Sequence, residues 1–265
     1  MKIAIFGAGV MGRALAAGLR DRMEGVELCF GTRTPESAGA VSAETGIETS
    51  ADPSVVVRDA AVVVLCLKPQ KVLGVLDAIG AAMPSGAVVV SIAAGMSLGK
   101  LALGLPEGQA LIRAMPNTPC RVGAGMTVLS AGQEVSREQL SLVETVFSAF
   151  GQVLCLDEEH MNAVTGLSAS GPAFLFLVIE ALTDGGVMAG LPRDVALRLA
   201  TQATKGAACL VEESGEHPAQ LRDAVTTPAG CTISALLRLE DGKLRSVLAR
   251  GVQEAAESAA DLGQD

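Results

Sequence analysis

Short apolar runs bounded by turn residues dominate the first half of the chain. Ile3–Phe6, Val26–Phe30, Ala61–Leu67, Ala87–Ile92 and Leu111–Ala114 are rich in β-branched residues and scarcely alternate with polar ones. Such runs predict strands covered on both faces, as in parallel sheets. Helical spacing fills the gaps, at Lys71–Met83 and later at Arg137–Gly151, and Val122–Leu129 and Val153–Leu156 predict two late strands. Strand–helix alternation implies right-handed crossovers. Beyond about Asp157 the strand signal stops. Glu158–Leu167, Pro172–Ala189, Pro192–Glu213, Ala219–Val225, Thr232–Leu239 and Leu244–Leu262 all carry helical spacing, with Pro172 and Pro192 where a first-turn proline is tolerated. The pattern predicts an α/β domain over residues 1–156 and an all-α domain over 157–265. Phe174–Ile179 is apolar all round, so that helix needs cover on every side, from its own chain or from a second copy.

Composition narrows the function classes. The chain has 265 residues, 49% hydrophobic and 18% charged, with a net charge of −9. That predicts a globular protein with no bulk attraction to nucleic acid or to an anionic membrane. Six Phe, with neither Trp nor Tyr, leave little for base stacking. Cys29, Cys66, Cys120, Cys155, Cys209 and Cys231 lie in apolar runs without metal-ligand spacing, which predicts buried, reduced thiols and no metal site. The start MKIAIFGAG reads as a strand entering a glycine turn rather than as a signal peptide. The longest strongly apolar run, Ala173–Ile179, is too short to span a bilayer. A soluble, cytoplasmic protein is expected.

The first chemical signal is GAGVMG, placed between the strand run KIAIF and a helical run. Gly7 would make the tight turn, Gly9 admit a diphosphate and Gly12 let the helix pack on the strand. Val10 and Met11 would then offer helix N-terminal amides to the phosphates, which lets an acidic chain hold an anionic cofactor. The α/β part is thus expected to be a Rossmann-like dinucleotide-binding domain. Where an NAD site usually carries an acid, this chain has Thr32 and Arg33. Arg33 can clamp a 2′-phosphate, so NADPH is favoured, with NADH as the second candidate. Leu67, Lys68 and Pro69, then Ile92, Ala93 and Ala94, then Asn117 follow successive strands. All fall at the sheet edge where open α/β folds bind ligands. Lys68 suits a phosphate or the substrate, and the small residues after Ser91 would let a flat ring approach the backbone.

The second signal is DAVTTPAGCTISALLRLE, with hydroxyls gathered at a helix entrance and no base nearby. Two readings stand: an anion cradle built from Gly230, Cys231 and Thr232, or a helix merely capped by Thr232. The two histidines, His160 and His217, lie apart, and His217 is placed to shape a helix entry.

With MPNTP, TGLSASGPAF and TTPAGCTISALL together, the chain resembles pyrroline-5-carboxylate reductases over essentially its whole length. The resemblance implies reduction of (S)-1-pyrroline-5-carboxylate to L-proline by NAD(P)H, the last step of proline biosynthesis. It also implies that the helical part serves dimerisation and substrate binding, in a homodimer often built into a decamer. The residue matching Thr232 is credited with hydrogen-bonding the ring nitrogen, with Thr227 shaping the pocket. Gly230, Cys231 and Thr232 would hold the substrate carboxylate. Ser170 either caps the following helix or faces the pocket; Asp157 either reaches the ring nitrogen or is a solvated charge. A cyclic imine can react as its iminium, so orientation matters more than a strong acid. Ala169 and Ala229 stand where the family places Gly, and a positive φ at Ala229 would cost about 1 kcal/mol. Two rival readings remain open at this point: an NADP-dependent hydroxy-acid dehydrogenase of the same plan, and a non-catalytic NADPH-binding dimer.

Overall fold

The computed structural model describes residues 1–262. Its elements follow in chain order as β1 (Lys2–Phe6), α1 (Val10–Arg22), β2 (Glu27–Gly31), α2 (Pro35–Thr45), β3 (Glu48–Ser50), α3 (Pro53–Val57) and β4 (Ala60–Leu65). Next come α4 (Pro69–Gly80), β5 (Val88–Ser91), α5 (Leu98–Ala102), β6 (Leu111–Pro116), β7 (Gly125–Ala131), α6 (Arg137–Ser148) and β8 (Gly151–Cys155). Helices α7 (Met161–Val164), α8 (Gly171–Met188), α9 (Arg193–Ser214), α10 (Pro218–Ala224), α11 (Cys231–Asp241) and α12 (Leu244–Asp261) follow among the described residues. The eight strands form one sheet in the order β3-β2-β1-β4-β5-β6-β7-β8. All neighbours run parallel except β6 and β7, so β7 and β8 oppose the rest. Chain order reverses between β1 and β4, and this switch point opens the crevice in which such sheets bind ligands.

The strand runs lack alternation because both sheet faces are covered. In β4, Val62 and Val64 join the cluster of α1 and α6, whereas Val63 and Leu65 join that of α4 and α5. All four are at most 1% exposed, and full burial of each such side chain stabilises by about 1.5–3 kcal/mol. Every expected strand forms. β3 was not anticipated: ETS is short, polar and at the sheet edge, so it carries no apolar signature.

Packing separates two units, Met1–Ser170 with the stretch from Gln253, and Gly171–Val252. The composition break near residue 156 precedes this division because 158–170 is held by the sheet-bearing unit. Glu158 Oε1 accepts from Leu98 N at 2.6 Å, Asn117 Nδ2 donates to the Ser168 carbonyl at 3.2 Å, and Met161 is buried beside Met115 and Val128. The same stretch, expected as one helix, instead runs as a 3-10 turn (Glu158–His160), α7 and a π turn (Thr165–Ala169). The second unit is helical throughout, with α8 packed on α9.

Two sequence expectations meet the structure here, and one of them needs correction. The helical run Glu158–Met188 is long and apolar enough, by length and composition, to cross a membrane. Its apolar residues concentrate in Ala173–Ile179, and the flanking Gly, Ser and Thr add no charge, so the strongly apolar stretch itself stays short. The cysteines are all free, but Cys155 and Cys231 are exposed rather than buried.

Candidate cofactor and substrate sites

The glycine turn has the geometry a diphosphate needs. Gly7 has φ +104°, and a Cβ there would collide with the Cys66 carbonyl. One at Gly12 would collide with the Gly7 carbonyl, where α1 passes closest to β1. Gly9 caps α1 and would meet nothing within 4 Å, so the backbone lies bare on the outer side. No side chain caps α1, and the amides of Val10, Met11 and Gly12 are left for an anion. The cradle therefore fits a dinucleotide.

Beside it lies a cavity of about 750 Å³. Gly7, Thr32 and Arg33 line it, as expected, and so does Leu67. Thr34 and Ser37 line it too, although their hydroxyls close the capping box of α2. Lys68 does not line it: it is the exposed cap residue of α4, with Pro69 opening the helix. Lys71, one turn on, faces the cavity instead. The spacing of Lys71 and Val75, four apart on one face of α4, is the signal that could have found it.

Ile92, Ala93 and Ala94 follow β5, beside the end of β4. Ile92 N donates to the Leu65 carbonyl at 3.2 Å, and Ala93 is 2% exposed. Asn117 follows β6, but its side chain is committed elsewhere. Oδ1 accepts from Met126 N at 3.0 Å while Nδ2 reaches the Ser168 carbonyl. Sequence reasoning missed Arg113, which is 4% exposed in β6. Its guanidinium meets Glu158 at 3.5 Å and donates to Asn162 Oδ1 at 3.2 Å, leaving Nε buried without a partner. Burial draws its pKa below the ordinary value, outweighing the attraction of Glu158. A lone Arg inside the apolar run LIRAM was the available signal, since a buried charge requires a partner.

In the second unit, Thr227-Pro228-Ala229-Gly230 forms a turn closed by Gly230 N donating to the Thr227 carbonyl at 3.0 Å. Ala229 sits in the left-handed region at φ 57°, the third position of a type II turn, where Gly is the usual occupant. This corrects the expected cradle in one respect: the Gly230 amide is taken by the turn. Gly230, not Thr232, is the cap residue of α11, and it offers no side chain. The amides of Cys231 and Thr232 in the first turn thus have no side-chain cap. A Cβ at Gly230 would collide with Thr227 Oγ1, so glycine lets that hydroxyl lie over the turn.

Ser170 and Asp157 belong to the first unit. Ser170 N donates to the Thr165 carbonyl at 3.0 Å as the π turn ends. Asp157 is exposed and lines a hollow of about 400 Å³ with Ser130, Cys155 and His160, which shares no lining residue with the Arg33 cavity. His217 caps α10, its Nδ1 accepting from Ala219 N at 3.2 Å.

Comparison with known proteins places this geometry. Residues 158–262 match the model for pyrroline-5-carboxylate reductase dimerisation, and residues 2–95 match that for coenzyme F420-dependent NADP oxidoreductases. A pyrroline-5-carboxylate reductase of Synechocystis is 40% identical, over 100% of this chain and 99% of its own. The structure of a pyrroline-5-carboxylate reductase from Coxiella burnetii superposes with a TM-score of 0.90 at 32% identity, covering 98% of this chain and 97% of that one. A Plasmodium falciparum pyrroline carboxylate reductase with NADP bound gives 0.89 at 28% identity, covering 99% and 98%.

Proposed function

The chain belongs to the pyrroline-5-carboxylate reductase family, and from that premise we infer its reaction: NAD(P)H-dependent reduction of (S)-1-pyrroline-5-carboxylate to L-proline, the last step of proline biosynthesis. The observation that carries this is the 40% identity to a relative of that name along the full length of both chains. The glycine cradle and the Arg33 cavity support the cofactor. When bound, NAD(P)H supplies the hydride. The chain's task is to hold the imine carbon against it and to favour the protonated ring nitrogen.

For the substrate we propose that the Cys231 and Thr232 amides at the start of α11 hold the carboxylate, with Thr227 closing the turn beside it. The Thr232 hydroxyl bonds the ring nitrogen. Ser170 and Asp157 are proposed as further contacts. For the cofactor, Gly7, Gly9, Val10, Met11 and Gly12 hold the diphosphate, and Thr32 and Arg33 the adenosine end. Leu67, Lys68 and Pro69 flank the cleft, while Ile92, Ala93, Ala94 and the Asn117 backbone border the nicotinamide.

We propose a nucleotide-binding part up to residue 156 and a helical substrate and dimerisation part beyond it. The helical part would pair with a second copy. Leu175, Phe176 and Leu177 of α8 are 52%, 64% and 66% exposed in the single chain, and an apolar face of this kind requires cover. The same face accounts for the membrane-like composition of 158–188. We further propose a cytoplasmic enzyme whose dimers assemble into a decamer and which binds neither nucleic acid nor membrane. A net charge of −9 supports the last point.

Following NADPH oxidation with pyrroline-5-carboxylate, and with hydroxy- and keto-acids in parallel, tests this reading. Turnover on the imine alone is expected. Turnover confined to the acids would instead indicate a hydroxy-acid dehydrogenase, and cofactor binding without turnover a non-catalytic protein.

A further inference from the structure

The cavity beside the glycine turn has two walls built from different parts of the chain. One is the loop after β2, carrying Thr32 and Arg33. The other is the chain entering α4, with Leu67 just ahead of the helix and Lys71 and Val75 four residues apart on it. Arg33 and Lys71 are the two cations in this lining, and no carboxylate lines it. Among the described residues neither makes an ion pair or a side-chain hydrogen bond. Elsewhere on the surface Arg13, Arg193 and Arg222 are each paired with an acid. In a chain of net charge −9, two uncompensated cations facing one cavity mark a place for concentrated negative charge.

We propose that Lys71 is a specificity-determining residue, the second cation for the cofactor's 2′-phosphate, acting from the α4 side of the cavity that Arg33 also lines. The inference rests on the NADP reading above and deepens it. Leu67 and Val75 present an apolar surface suited to the adenine face, and the stem of Lys71 continues it between them. The ammonium at the end of that stem is a mobile point charge, complementing the planar guanidinium of Arg33. A 2′-phosphate held from both walls gains from Lys71 only when that phosphate is present.

The test is calorimetric binding of 2′,5′-ADP and of ADP to the full chain, in wild type, Arg33→Ala, Lys71→Met and Lys71→Arg. Met keeps the apolar stem, so the change isolates the charge. Lys71→Met is expected to weaken 2′,5′-ADP roughly threefold to thirtyfold, as for one solvent-accessible charge-assisted contact. ADP should change less than twofold, and Lys71→Arg should retain most of the 2′,5′-ADP affinity. If Arg33→Ala weakens 2′,5′-ADP and Lys71→Met does not, the Lys71 assignment is overturned while the NADP reading stands. Equal weakening of both ligands by Lys71→Met also overturns it, because the stem rather than the charge would then matter. A wild-type protein that does not distinguish the two ligands overturns both.

Discussion

Replacing Arg113 by Met removes one buried guanidinium and leaves its partners in place. Glu158 keeps its hydrogen bond from Leu98 N, but Asn162 Oδ1 loses the donor it has at 3.2 Å. Removing one member of a buried ion pair costs about 3–5 kcal/mol, mostly because the surviving charge is stranded. Here the Glu158 side chain is 35% exposed and can turn toward water, which places the expected cost at about 2–3 kcal/mol. For a chain of this size that corresponds to a melting temperature lower by roughly 4–10 °C. The direction of the Arg113 pKa shift adds a second expectation. Burial already outweighs the attraction of Glu158, so the intact pair contributes less net stability than the cost of stranding one member. Arg113→Met/Glu158→Gln should therefore recover part of the loss, with a coupling of about 1 kcal/mol or more. Urea and thermal unfolding of wild type, Arg113→Met, Glu158→Gln and the double variant at one fixed concentration measure both quantities. An Arg113→Met variant within about 0.5 kcal/mol of wild type, the ordinary range for surface changes, would refute the reasoning. Strict additivity in the cycle would refute the coupling.

Three further outcomes are expected. Arg33→Ala should lower the preference for NADPH over NADH by about tenfold or more, read from kcat/KM with each cofactor; an unchanged ratio would remove Arg33 from the 2′-phosphate site. Ala229→Gly relieves a left-handed Ala and should stabilise the helical unit by up to about 1 kcal/mol, the entropy of Gly offsetting part of the gain. A loss of stability would mean that the turn is not strained in solution. Burial, then the hydrogen bond to Glu144 at 3.1 Å, push the Cys155 thiol up to about 11. At pH 8 about one molecule in a thousand would then carry the thiolate. Site-resolved alkylation should accelerate about tenfold per pH unit and several-fold in Glu144→Gln, and labelling at the rate of an ordinary thiol would contradict this.

What the sequence made legible depended on what each residue had to do alone. Strands buried on both faces announce themselves, because Val62–Leu65 cannot be so apolar for any other reason. The glycine turn was equally readable, since Gly7 and Gly12 are required by backbone proximity. The edge strand β3 left no pattern because its side chains face no core. Lys71 was hidden because a cation on a helix usually points to solvent; only the fold brings it to the cavity that Arg33 lines. The break at Ser170 was hidden for a related reason, as Arg113 and Asn117 tie 158–170 to the sheet through polar contacts between residues distant in sequence. At the second site, the hydroxyl cluster was legible but its geometry was not. Which residue caps α11, and that Gly230 gives its amide to the turn, depend on backbone angles that composition does not reveal.

The most direct measurement is the rate of NADPH oxidation with pyrroline-5-carboxylate, wild type beside Thr232→Ala. Ready turnover to proline by the wild type is expected. In the variant kcat/KM should fall roughly tenfold to a thousandfold, as for one lost transition-state hydrogen bond. Equal kinetics in the two proteins would contradict the role of Thr232, and a wild type inert toward the imine would contradict the function itself.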